Sequence, residues 1–258
     1  MSVLLDELRK AAVEFAKAGG DVTLDYFQKS FELKYKEDAS PVTNADRESE
    51  KLIREKIRDR YPDHGIIGEE FGREKEDADI VWILDPIDGT KSFIHGVPFY
   101  TTLIGVMVKG VPSAGVIYAP ATGEMTEASL GSGCRLNGKP VTVRECTNLA
   151  EATFLTTDVT SFSEYGYEKP LQKMIDSTRL HRTWGDAYGH MLVATGRADV
   201  MIDAVLHLWD AAALLPIITE AGGVYTDLRG KPLIETGNGI SSAPGIHRQI
   251  IQLFNSED

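Results

Sequence analysis

Residues 80–90 read IVWILDPIDGT. The apolar stretch Ile80 to Leu84 has the length and character of a buried strand, and it runs straight into Asp85, Pro86, Ile87, Asp88, Gly89 and Thr90. One acid at such a strand end would be an ordinary turn former. Two of them around a proline, followed by Gly-Thr, call for a ligand that carries positive charge. Pro86 stiffens the turn so that Asp85 and Asp88 can converge on shared cations, and the carbonyl of Ile87 can add a neutral ligand. Gly89 and Thr90 offer backbone N–H groups to an anion, a helix starting there would add its positive end, and the Thr90 hydroxyl can orient a water.

The flanking sequence predicts what surrounds this strand end. Leu4, Leu5, Leu8, Ala11, Ala12 and Phe15 recur at helical spacing, so the chain opens on an amphipathic helix that Gly19-Gly20 weakens. FELKYKEDASP (31–41) alternates and then breaks at Pro41, like a strand or hairpin arm before a loop. Thr43, with Asp46 three residues on, caps a helix with Ala45, Leu52, Ile53 and Ile57 on its inner face and Pro62 at its close. IIGEE (66–70) predicts a second short buried strand ending in acids. Segments 100–110, 111–120 and 123–131 read as antiparallel strands, with turns at Lys109-Gly110 and Asn137-Gly138. Beyond about residue 145, strands and helices alternate: ATFLTTD as a strand, a helix over 164–177, a helix at HMLVATG leading into ADVMID, a helix around WDAAALLPIITEAG, a strand at GVYTD and a final helix near 245–255. Two layered halves are expected, 1–145 and 146–258, with no flexible linker and no internal repeat.

A chain of 258 residues, 42% hydrophobic and 26% charged, can bury a substantial core. Its formal net charge of −12 and its lack of a basic stripe argue against nucleic acid as a partner, and the acidic surplus agrees with binding metal cations. Cys134 and Cys146 make neither a disulfide framework nor a zinc cluster. No segment reaches transmembrane length, and MSVLLDELRK lacks the apolar core of a signal peptide. The expectation is a cytoplasmic protein with no membrane partner.

Four acidic sites stand together in this pattern: Asp46 at a helix start, Glu69 and the Asp85/Asp88 pair at strand ends, and Asp210 behind Trp209 at the start of a small-residue helix. Strand carboxyl ends and helix starts are where α/β architectures gather ligands. Clustered carboxylates stay ionised only beside compensating cations. Hard oxygen donors without His or Cys suit Mg²⁺, Mn²⁺ or Ca²⁺ better than zinc. IGEE, WILDPIDGTKSF and WDAAALLPIITEAGGVYTD, in this order, closely resemble the inositol monophosphatase family of metal-dependent, lithium-sensitive phosphatases, and the likeness runs from SPVTNAD to the last strand. The resemblance implies an α+β or α/β fold, a layered αβαβα sandwich of the inositol monophosphatase/fructose-1,6-bisphosphatase type, and a homodimer. It implies two or three Mg²⁺ ions, with Mn²⁺ as a substitute, held by the side chains of Glu69, Asp85, Asp88 and Asp210 and the carbonyl of Ile87. Thr90 and Glu69 would position and activate the attacking water, with Asp46 hydrogen-bonded to Thr90; the amides of Gly89 and Thr90 would hold the phosphate for in-line attack without a phosphoenzyme.

The second half of the chain bears on the phosphate ester. Members acting on inositol phosphates are expected to carry a G-[ST]-A-A segment where this chain has Trp184-Gly185-Asp186-Ala187-Tyr188-Gly189, and TWGDAYG resembles the histidinol-phosphatase branch of the family. Histidinol phosphate carries an ammonium and an imidazole, and Asp186 could pair with either or be a plain loop acid. By resemblance, Asp203 takes the place of a substrate-facing acid, Asp210 also faces the substrate, and Arg182 faces the substrate or the phosphate. Ala204 departs from the proline usual after that acid, and Lys36 matches a basic residue of some members at a spacing one residue off. Trp184 and Tyr188 are packing, dimer-contact or substrate-contact residues, and Trp209 is expected to pack and fix Asp210. The implied activity is hydrolysis of L-histidinol phosphate to L-histidinol and phosphate in histidine synthesis. The alternatives are an inositol-1-monophosphatase or broad sugar-phosphate phosphatase and, in another class, a regulatory binding protein.

Overall fold

A computed structural model describes residues 2–37 and 39–255. The first part of the chain runs α1 (Ser2–Leu24), β1 (Leu33–Tyr35), β2 (Pro41–Thr43), α2 (Asn44–Arg60), β3 (Gly65–Gly68), β4 (Gly72–Glu74), β5 (Ile80–Asp88), α3 (Thr90–Ile94), β6 (Thr101–Val108), β7 (Val111–Ala119), β8 (Glu124–Ser129), β9 (Cys134–Leu136) and β10 (Lys139–Val141). The second part runs β11 (Thr153–Leu155), α4 (Val159–Glu164), α5 (Glu168–Ser177), β12 (Leu180–Arg182), α6 (Asp186–Ala194), β13 (Val200–Asp203), α7 (Leu208–Glu220), β14 (Val224–Thr226), β15 (Gly239–Ser242) and α8 (Pro244–Asn255).

Eight strands form one sheet in the order β10-β9-β8-β7-β6-β5-β3-β4, antiparallel throughout except for the β3–β5 pair. Five form a second, in the order β12-β11-β13-β15-β14. Alternation along the strands builds the layers. Trp82 and Leu84 of β5 face Leu8 and Phe15 of α1 and Ile53 of α2. Val81 and Ile83 face the opposite way, into a core shared with Met191 of α6 and Leu214 and Ile217 of α7, which Met201 of the second sheet joins from the far side. Phe154 and Ile202 of that sheet pack outward on Leu171 of α5 and Ile246, Ile250 and Phe254 of α8. The result is the expected αβαβα sandwich. Among the described residues no helix is long and apolar enough to cross a membrane.

The structure departs from the sequence reading where close packing decides. α1 runs unbroken through Gly19 and Gly20, because a side chain at either would strike Ile53 of α2 or Tyr118 of β7. Pro41 opens β2, which pairs with β1, instead of ending a strand. The helix expected over 164–177 is α5, which starts only at Glu168 because Gly166, with φ 80°, turns the chain after a separate short helix, α4.

The seat of α7 is a glycine pair. Gly105 and Gly115 lie opposite each other on β6 and β7, and a Cβ on Gly115 would come within 2.3 Å of the Ala213 carbonyl oxygen. Backbone cannot yield as a flexible side chain does. Gly115→Ala should therefore destabilise the fold by about 1–3 kcal/mol and lower activity, since α7 carries Asp210. An unshifted urea midpoint would contradict this.

Candidate active site

Residues three apart on a regular strand face opposite sides of a sheet, yet Asp85 and Asp88 converge. The reason is a bulge: Asp85 pairs with Leu103 and Asp88 with Thr101, so three steps on β5 match two on β6. Pro86 has no N–H for the ladder and sits within the irregularity, its carbonyl taking the Thr102 hydroxyl at 2.8 Å. One carboxylate oxygen each of Asp85, Asp88 and Asp210 lies within 4.8 Å of the others.

Helix starts supply the rest. Asp210, in the first turn of α7, accepts the His207 N–H at 2.6 Å. Asp88 accepts the Thr101 hydroxyl at 3.0 Å and the Ala187 N–H at 2.7 Å, which ties the start of α6 to the end of β5. Gly89, with φ 80°, turns the chain from β5 into α3. Asp186 occupies the space a side chain would need there, its Oδ2 being 2.7 Å from the position of a Gly89 Cβ. The Asp186 N–H donates in turn to the Thr157 hydroxyl at 2.7 Å. These groups open on a cleft of about 720 Å³, walled further by Lys36, Lys91, Phe99, Asp158 and Trp209.

Glu69, at the end of β3, lines the same cleft but stands apart from the close trio, because Lys36 reaches over from the β1–β2 turn to Glu69 at 2.7 Å and Glu70 at 2.6 Å. Burial opposes the Lys36 charge, but hydrogen bonds to both glutamates outweigh it and push the ammonium above its ordinary range.

The trio fits a hard divalent cation. Burial, and then neighbouring carboxylates, hold Asp85, Asp88 and Asp210 well above the usual carboxylate range. Oδ1 of Asp85 is buried without a hydrogen-bond partner. Oxygen-only donors around an unpartnered buried carboxylate suit an ion such as Mg²⁺ or Mn²⁺. Burial also pushes Asp46 up to about 7, and Asp186, with Asp203 and Asp210 nearby, to about 7. Acids raised in the folded state bind more protons folded than unfolded, so stability is lost as pH rises from the ordinary carboxylate value towards those raised values. In chelator, Tm should therefore fall between pH 5 and pH 8 by roughly 5–10 °C, and saturating Mg²⁺ should remove most of the fall. A flat or rising chelated Tm would count against the buried, unpaired charges.

Several expected residues are placed differently. Asp46 is buried, with Oδ2 taken by the Thr43 N–H at 2.8 Å and hydroxyl at 2.5 Å, so it closes the cap of α2. The Thr90 hydroxyl donates to the Ile87 carbonyl at 3.0 Å instead of bonding Asp46. Asp203 lies beneath the cleft wall, accepting the Thr157 N–H at 3.2 Å and standing 3.1 Å from His190 Nε2. Arg182 is exposed on β12, outside the described cleft wall, and donates to the His181 carbonyl. Trp184 is exposed and also outside that wall. Tyr188 is a packing residue, stacked on Phe99 and bonded to Glu124. Trp209 packs against the core as expected and also lines the cleft, stacked on His207. Thr157 and Asp158 had gone unassigned. Their signal was their place at the end of the predicted strand ATFLTTD, the same position that picked out Glu69 and Asp85.

Acids gathered at strand ends over a cleft of this size, in a five-layer sandwich, define a phosphoric monoester hydrolase. Residues 4–258 match the inositol monophosphatase family, and the chain belongs to it. It is 45% identical over 237 residues to a histidinol-phosphatase of Chlorobaculum parvum, covering 90% of each chain. It is 36% identical over 216 residues to a fructose-1,6-bisphosphatase/inositol-1-monophosphatase of Thermotoga maritima, covering 83% of this chain and 82% of that one. Among solved structures, the extragenic suppressor protein suhB of Bartonella henselae superposes with a TM-score of 0.91 at 28% identity, over 98% of this chain and 100% of the other.

Proposed function

We propose that the protein is a Mg²⁺-dependent histidinol-phosphatase, releasing L-histidinol and phosphate from L-histidinol phosphate. The observation that carries the substrate is Asp186, a half-buried carboxylate against Gly89 on the cleft wall. Held at about 7 by burial and by nearby Asp203 and Asp210, it gains most from a substrate that brings positive charge. Histidinol phosphate brings an ammonium; an inositol phosphate brings none. The 45% identity to a histidinol-phosphatase supports the same reading.

In this mechanism the amides of Gly89 and Thr90 bind the phosphate oxygens, and Asp186 holds the ammonium so that the ester bond lies in line with the attacking water. Glu69 and the Thr90 hydroxyl orient that water, and Glu69 takes its proton as the new P–O bond forms and the ester P–O bond breaks, the leaving alkoxide taking up a proton to give L-histidinol. Lys36 holds the Glu69 carboxylate at the cleft wall through its 2.7 Å hydrogen bond. Asp85, Asp88, Asp210, Glu69 and the Ile87 carbonyl would hold the divalent ions, which lower the pKa of bound water and neutralise charge on the phosphoryl and leaving oxygens.

The test is phosphate release, with and without Mg²⁺, across L-histidinol phosphate, myo-inositol 1-phosphate and sugar phosphates. At least about 30-fold higher kcat/KM for histidinol phosphate is expected, the value of one desolvated charge pair. A flat profile, or a preference for inositol phosphate, would favour the second reading, a broad phosphatase like the Thermotoga maritima relative.

A further inference from the structure

Beneath the turn that presents Glu69 lies a buried ion pair that touches neither the cleft nor the acid trio. Glu50, on α2, is fully buried, and Arg54 one turn later is nearly so. The Glu50 carboxylate receives the Glu70 N–H at 2.8 Å on one oxygen, and the Phe71 N–H at 3.2 Å and Arg54 Nε at 2.7 Å on the other. Arg54 reaches on to the Gly72 carbonyl at 2.5 Å. The backbone from 70 to 72 is thus pinned at each residue by one pair. Gly68 completes the seat, since a Cβ there would come within 2.1 Å of Glu50 Oε1.

Buried ion pairs seldom stabilise a fold more than apolar packing of the same volume would, so stability does not account for this one. Its hydrogen bonds all converge on the backbone just after Glu69. Lys36 draws the Glu69 and Glu70 carboxylates from the cleft side while Glu50 holds the Glu70 and Phe71 N–H groups from below. We infer that Glu50 and Arg54 are positioning residues, fixing the 69–72 turn so that Glu69 enters the cleft beside Asp85, and thereby setting cation affinity and the placement of the attacking water. The inference rests on the role proposed for Glu69.

Glu50→Gln keeps the volume but sets an NH₂ against one of three N–H donors. Gly68→Ala leaves the pair intact and pushes it away from the turn. Glu55→Gln, on the exposed side of the same helix, is the control. Mn²⁺ binding is read by electron paramagnetic resonance of the free ion, alongside kcat, KM, circular dichroism and Tm. For both test variants, folded, the Mn²⁺ Kd should rise and kcat fall by about 10- to 100-fold, with KM for the best wild-type ester within about threefold. A folded variant with Mn²⁺ affinity and kcat within about twofold of wild type overturns the inference. So does failure of both variants to fold, or a loss that only follows the unfolded fraction, since either would make the pair purely structural. Absence of phosphatase activity in the wild type would defeat the proposed function, while the Mn²⁺ comparison would still decide this point.

Discussion

Asp85→Asn is expected to lower kcat/KM by about 10³-fold or more at saturating Mg²⁺ while raising the Tm of the chelated protein. Losing a contact outside the ligand shell of a metal costs about 10- to 100-fold, and losing one preorganised group that meets transition-state charge costs up to about 10³-fold. Asp85 belongs to the close acid trio, and its Oδ1 has no protein partner to compensate. A factor of 10³ corresponds to about 4 kcal/mol of barrier. The stability effect has the opposite sign because, without a cation, Asp85 suffers burial and the charges of Glu69, Asp88 and Asp210. Asparagine removes that repulsion at equal size. Steady-state kinetics in Mg²⁺ and calorimetry in chelator read the two effects separately. Activity within about tenfold of wild type would move the cation away from this trio, and a lowered chelated Tm would mean that the carboxylate stabilises the fold on its own.

Asp186→Ser should lower kcat/KM for L-histidinol phosphate by about 30- to 1000-fold, the range for removing one partner of a desolvated charge pair. Its effect on myo-inositol 1-phosphate should stay within about threefold, because a neutral polyol gives the carboxylate no charge to meet. Serine also leaves the backbone ties in place, since the bonds to Thr157 and Asp88 are made by the N–H groups of residues 186 and 187. The strained φ of 54° at Asp186 suits aspartate better than serine, so Asp186→Asn is the paired control and should show the same substrate split. Equal losses on both esters would remove Asp186 from substrate recognition and leave the phosphatase chemistry standing.

Much of this site was legible in one dimension because its signals are local. The cap of α2 is written in Thr43 and Asp46, the end of β5 in DPIDGT, and the first turn of α7 in Trp209-Asp210, each spanning a few residues with one conformational solution. Locality also explains Asp46, whose Oδ2 closes the helix cap three residues from Thr43 while the Thr90 hydroxyl bonds the Ile87 carbonyl. β4, β9, β10, β12 and β15 were missed because three or four residues carry too little periodicity to mark a strand; β15 is recognisable only once it pairs between β13 and β14.

By itself, the sequence determined the strand ends where the acids stand, since apolar periodicity and turn chemistry act over a few residues, and the resemblance of its motifs to a known family supplied the layered sandwich. Tertiary structure alone decided which of the two acids Asp186 and Asp203 reaches the cleft. Asp186 and Asp203 are equally acidic in the sequence, but the first opens α6 against Gly89, whereas the second ends β13 beneath the wall, held by Thr157 and His190. It also decided that Lys36 and Glu50, 33 and 19 residues from Glu69 along the chain, grip that acid and its turn from opposite sides. Such pairings depend on how helices and hairpins stack across a sheet, and distance along a chain does not encode them.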